Sequence, residues 1–134
     1  MSDAHPEFPL KDYLGITIEP GDGRAVAELE LTARHLNPNA VAHGAVPFAM
    51  MDTAMGAAVM SLLSEGQICA TIEMHTRFVR GPSSGRLVAT AEVIHPGRKI
   101  MHLEATTVDE RGKLVASATS SYACLLYTSD AADE

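Results

Sequence analysis

Between Arg34 and Glu65 the sequence carries one formally charged side chain, Asp52, set in a run of Ala, Val, Met, Phe and Leu long enough for five turns of helix. An ionised acid inside an apolar element costs on the order of several kcal/mol unless it is partnered, so an intramolecular pair or a reaction centre is expected. Eight residues earlier, His43-Gly44-Ala45 opens the same stretch. Unpaired N–H groups at a buried helix start, reinforced by the macrodipole, can hydrogen-bond a carbonyl oxygen that gains negative charge during attack. Gly44 lets a ligand approach that backbone closely. A carboxylate in the right place could attack the carbonyl carbon or deprotonate a water that does. Thr71, at the strand that follows, adds a hydroxyl.

Spacing constrains how these groups combine. Gly44 and Asp52 lie roughly 12 Å apart along a helix rising about 1.5 Å per residue, and a side chain leaning back one turn does not close that gap. If both act on one substrate, the helix start of one subunit must face Asp52 of another, which predicts a symmetric dimer with two equivalent sites. Each residue also has a plainer reading. Asp52 could be a structural acid bonded to nearby backbone, His43 could cap the loop, Asn37 before Pro38 is a good turn residue, and threonine is common in strands.

The elements that must position these groups are legible in the pattern. After the turn Pro20-Gly-Asp-Gly23, residues Arg24 to Thr32 alternate as a half-buried strand, with Ala25, Ala27, Leu29 and Leu31 on one face. Arg34 to Ala42 reads as a loop, because Asn37-Pro38 disfavours helix. Pro47 is tolerable only in the first turn of a helix, which fixes the start near Gly44 or Ala45, and the run extends to about Ser64. Charge is almost absent on every side of this helix, so protein should wrap it. The stretches Gln67 to Val79, Arg86 to His95, Lys99 to Asp109 and Lys113 to Leu125 read as four strands of an antiparallel meander, the last two gaps short enough for hairpins. The N-terminal clusters Phe8 to Leu10 and Tyr13 to Ile18 suit a short helix at a domain edge.

Length and composition bound the rest. A chain of 134 residues with 46% apolar content suits one domain and one core. A net charge of -7 argues against broad nucleic-acid binding. Cys69 and Cys124 lie in apolar strand-like runs without metal-binding spacing, so buried free thiols compatible with a reducing cytoplasm are expected. The N-terminus lacks a secretory pattern, and the acid within the one long apolar run argues for a buried helix over a membrane span. The histidines offer no convincing metal-ligand set. Residues 125–134 break the strand pattern and look foreign to a domain spanning 1–124.

The stretch around Asp52 resembles the hotdog-fold thioesterases of the phenylacetate-pathway (PaaI-like) type, whose pattern is Asn, two residues, Gly, two residues, His-Gly-Gly, six residues, Asp. Asn37, His43, Gly44 and Asp52 take the matching positions, while Ala40 and Ala45 stand where the pattern has glycine. Thr71 resembles the Ser or Thr that begins the family's next strand, and the similarity spans about residues 24–124. The resemblance implies an α+β hotdog fold, an antiparallel sheet wrapped around one long helix, assembled as dimers or dimers of dimers. It also implies acyl-CoA thioester hydrolysis without metal or prosthetic group. By this carry-over Asp52 is nucleophile or general base, the Gly44 N–H polarises the carbonyl, Asn37 places substrate or water, and Thr71 bonds water or the acid. His43 caps the loop or moves a proton. The N–H of Ala45 stays available while its methyl narrows the ligand's path. Arg77, Arg80, Arg98 and Lys99 are candidates for the phosphates of coenzyme A. Two rivals share the fold: a hydroxyacyl thioester dehydratase pairing His43 with an opposing Asp52, which would form an enoyl product without thiol release, and a non-catalytic acyl-CoA binding module, which would bind without turnover.

Overall fold

The computed structural model, which describes residues 7–126, lays one six-stranded antiparallel sheet against one long helix. The elements run α1 (Pro9–Leu14), β1 (Thr17–Gly21), β2 (Arg24–Glu30), a short 3-10 turn (Ala33–His35), α2 (Ala45–Met60), β3 (Gln67–Phe78), β4 (Arg86–Pro96), β5 (Ile100–Val108) and β6 (Leu114–Leu126). The strands lie in the order β1-β2-β4-β5-β6-β3. This is the expected α+β hotdog arrangement, but the meander is three strands, β4 to β6, and not four. β3 crosses over to pair with β6, and β2 takes the place beside β4, because sequence order alone does not fix strand neighbours across a loop as long as that from Val79 to Gly85. One strand escaped the sequence pattern. β1 pairs with β2 as an edge strand and ends in Pro20-Gly21, and a proline is tolerated there because its missing N–H can face outward.

α2 begins at Ala45, with Pro47 in its first turn, and stops at Met60, four residues short of the expected Ser64. Ser61 marks the end: its Oγ accepts the Gly23 N–H at 2.8 Å and so ties the helix terminus to the β1–β2 turn. Val46, Met50, Met51, Ala54, Met55, Ala58 and Val59 form the buried face at the spacing of one helical stripe. Alanines at 25, 27, 89, 91, 105 and 118 line the concave side of the sheet, and their small side chains let the helix lie close. The opposite stripe of α2, which includes Ala49, Asp52, Thr53, Gly56 and Ala57, stays half-exposed. Cover all round was expected; the sheet of a single chain covers one face only. No helix among the described residues is long and apolar enough to cross a membrane.

Two fastenings orient the loop that precedes α2. His35 is buried, its Nδ1 accepting the Thr32 N–H at 2.9 Å and its Nε2 lying 2.8 Å from the Leu14 carbonyl, to which it donates. The ring thus joins α1 to the 3-10 turn. At the other border, β3 pairs only with β6 among the described residues, and one side of its twelve-residue backbone has no ladder partner there. β6 runs through Leu126, two residues into the stretch that looked foreign; residues 127–134 lie outside those described.

Candidate active site

The carboxylate that began the sequence argument is half-buried on the outer stripe of α2, where β3 and β6 supply its partners. Thr71 Oγ1 donates to Asp52 Oδ1 at 2.9 Å. Tyr122 donates a short hydrogen bond to the same Oδ1, and its hydroxyl also lies 2.8 Å from the Asp52 carbonyl oxygen. Thr71 and Tyr122 stand opposite each other in the β3–β6 register. Immediately beyond them the ladder shifts between Thr71 and Glu73, leaving Ile72 as an extra residue 52% exposed at the edge. Such bulges re-aim side chains and recur next to active sites.

Tyr122 was not singled out from the sequence. It sits in an alternating strand and is 2% exposed, as a core tyrosine should be; the available hint was that a buried phenol requires a polar partner and Asp52 required one too. Burial, followed by the hydrogen bond to Asp52, pushes the Tyr122 phenol far above its ordinary range. Next along the same face, Cys69 lies opposite Cys124, both thiols free and half-buried. Burial pushes the Cys69 thiol up to about 11, with smaller contributions from Cys124 and Asp52.

The helix start lies at the far end of β3. Gly44 has ordinary right-handed backbone angles (φ -55°, ψ -26°), so conformation alone does not require glycine. Space is tight without requiring it either: a Cβ there would meet the Phe78 ring at 3.1 Å, and that ring is exposed and can give. The Gly44 N–H has no acceptor among the described residues, whereas the Ala45 N–H donates to His43 Nδ1 at 2.9 Å. This corrects the expectation that the Ala45 N–H is available to a ligand. His43 caps the helix through its ring, and in the neutral ring the proton is therefore on Nε2.

Asn37 shapes the preceding loop. Its Oδ1 accepts the Asn39 N–H at 2.9 Å, and its own N–H donates to the Val41 carbonyl at 2.8 Å. Ala40, where the family pattern has glycine, closes this turn in the left-handed region at φ 63°. The four basic candidates separate. Arg77 is exposed near the end of β3, and Arg98 and Lys99 are exposed on the β4–β5 turn. The Lys99 carbonyl accepts the Cys124 N–H and so lies by the opposite end of β3. Arg80 is held by Asp109 at 2.5 Å, and this guanidinium, aided by the backbone N–H groups of Lys113 and Arg111, draws the Asp109 carboxyl down to about 2.

One chain thus brings Asp52, Thr71 and Tyr122 together and holds Gly44, His43 and Asn37 apart from them. Chemically it offers an oriented carboxylate at one place and an open N–H donor at another.

Comparison with known proteins identifies a class of chemistry. A family model described as the thioesterase superfamily matches residues 39–116. A 1,4-dihydroxy-2-naphthoyl-CoA hydrolase from Listeria monocytogenes is 28% identical over 107 residues, covering 79% of this chain and 87% of the relative. The proofreading thioesterase EntH from Klebsiella pneumoniae is 29% identical over 112 residues, covering 83% of this chain and 82% of the relative. Among solved structures, the E. coli PaaI protein from the phenylacetic acid degradation operon superposes with a TM-score of 0.83 at 28% identity, covering 90% of this chain and 87% of that one.

Proposed function

The chain belongs to the thioesterase superfamily, and on that premise we propose that it hydrolyses an aryl- or medium-chain acyl-CoA to the free acid and coenzyme A at two equivalent sites, each shared between two chains. Asp52 acts as nucleophile or general base, and the Gly44 N–H donates a hydrogen bond to the thioester oxygen as it gains negative charge. Water supplies the new C–O bond, the C–S bond breaks, and the departing thiolate takes up a proton. Asn37 positions substrate or water from the loop, and His43 holds the helix start. Arg77, Arg98 and Lys99, with Arg80 beside Asp109, are the groups that meet the phosphates of coenzyme A.

One observation carries the shared site. Asp52 is anchored at Thr71 and Gly44 abuts Phe78, seven residues apart and so roughly 23 Å along the unpaired edge of β3. A second copy paired antiparallel along that edge, with its two-fold axis near Met74 and His75, sets the Thr71 end of β3 beside the partner's Phe78 end. The Asp52 of each chain then meets the helix start of the other. Ile72 and Phe78, both more than half exposed on this edge, and the small-residue stripe of α2 become covered in such a pair. The same pairing brings Arg77 of one chain toward the hairpin that carries Lys99 in the other.

Thiol release from a panel of aryl- and medium-chain acyl-CoAs tests the activity, with Asp52→Asn as the comparison; equal rates would remove Asp52 from the reaction. Subunit mixing tests the sharing. Asp52→Asn and Gly44→Ala chains, each nearly inactive alone, are refolded together. Random pairing makes half of the dimers mixed, each with one undamaged site of two, so about a quarter of native activity returns. A site contained in one chain predicts no recovery.

A further inference from the structure

We propose that Tyr122 is a positioning residue that holds Asp52 so that Oδ2, and not Oδ1, is the oxygen that reacts. This rests on the reading of Asp52 given above and adds to it the atom and the residue that selects it. Both hydroxyl donors, from Thr71 and Tyr122, converge on Oδ1, and no donor among the described residues reaches Oδ2. The phenol also lies against the main-chain oxygen of Asp52, so it spans the side chain and backbone of one residue and fixes the carboxylate's rotation. An oxygen accepting two hydroxyl protons has its lone pairs committed; the other keeps its own for a proton or a carbonyl carbon.

The sheet dictates this convergence. The Cys124 N–H donates to Lys99 on the β5 side, so the Cys69–Cys124 rung makes no backbone hydrogen bond toward β3. Two residues along, the Thr71–Tyr122 rung has the same character, and in such rungs facing side chains stand closest. The two hydroxyls therefore emerge side by side toward α2 where Asp52 faces them. Burial keeps the phenol protonated, which makes it a constant donor and unsuited to taking a proton itself.

The test is steady-state thiol release by the full chain, measured per folded protein, for Tyr122→Phe and Asp52→Asn, singly and together. Loss of one hydrogen bond to a carboxylate predicts that Tyr122→Phe lowers kcat by about tenfold to a hundredfold while KM stays within about twofold. In the Asp52→Asn background the same change has no further effect, because no reacting carboxylate is left to orient. A structural role alone would lower the melting temperature and leave kcat per folded molecule unmoved, which overturns the proposal. Should Asp52→Asn fall in rate while Tyr122→Phe does not, this proposal fails and the reading of Asp52 stands; should Asp52→Asn match the native chain, both fail. If Tyr122→Phe does not fold, global incorporation of 3-fluorotyrosine, which keeps ring and hydroxyl but strengthens the phenol as a donor, reads the same bond: kcat shifts at constant KM, and an unmoved kcat overturns the proposal.

Discussion

Gly44→Ala should separate the stability of this protein from its activity. The native backbone angles of Gly44 (φ -55°, ψ -26°) suit alanine without strain. Replacing glycine at such a position restricts the unfolded chain and stabilises by about 0.4 to 1 kcal/mol. Against this, the new Cβ would lie 3.1 Å from Phe78 Cε1 and 3.3 Å from Cζ, so the ring must withdraw by a few tenths of an ångström. Phe78 is 57% exposed and free to do so, which keeps the crowding cost small. Stability should therefore stay within about 1 kcal/mol of the native value by urea unfolding. Activity should not. The methyl narrows the approach to the one N–H that the helix start leaves open, and losing a donor to a developing oxyanion costs on the order of a hundredfold to a thousandfold in kcat. Thiol release by Gly44→Ala is the assay, run beside Gly44→Ala with Phe78→Ala, in which the crowding is relieved but the methyl remains. The double variant should stay impaired. Native kcat in a folded Gly44→Ala would refute the reasoning, because no ligand then needs close access to that backbone.

Three further outcomes follow from the geometry. Ala40→Gly should stabilise by about 1 kcal/mol in denaturant unfolding, since alanine at φ 63° carries a left-handed penalty of about that size that glycine avoids. Thr107→Val should also stabilise by about 1 kcal/mol with kcat unchanged, because Thr107 is fully buried and its Oγ1 has no partner. The Asp109 carboxyl, drawn from 3.8 down to about 2 first by Arg80, contributes stability that is present above about pH 4 and lost as the pH falls through about 2. Arg80→Ala should weaken that dependence, visible as a flatter acid limb in melting temperature against pH, and an unchanged limb would assign it elsewhere.

The sequence made the succession of elements readable because its signals are strong and local, but not the crossing of β3 to the side of β6, which no local signal encodes. Pro47 could stand only in a first helical turn, and α2 begins at Ala45; alternating faces and short turns marked β4, β5 and β6. β1 was missed because its short, largely exposed run carries no alternation and includes a proline. Asp52, Gly44 and Thr71 were legible by charge, spacing and strand position, and the helix rise alone separated the first two. The Ala45 N–H was misjudged because a side chain two residues back, His43, folds over it, a local choice that spacing does not encode. Tyr122 stayed hidden for a different reason. It is seventy residues from Asp52, and only the β3–β6 register brings the phenol to the carboxylate.

That register also sets an order of events during synthesis. β3 is complete at Phe78, but β6, its only neighbour in the sheet among the described residues, is not complete until Leu126. At about 5 to 20 residues per second the ribosome leaves β3 without a mate for roughly 2 to 10 s. Through that interval a twelve-residue strand with both edges open is a part of the nascent chain exposed to wrong pairing. β6 also carries the residues that close the ladder beside Cys69 and Thr71, so a chain cut before Tyr122 is one whose acid has lost its clamp. Completion of the sheet and completion of the Asp52 environment are, in time, one step.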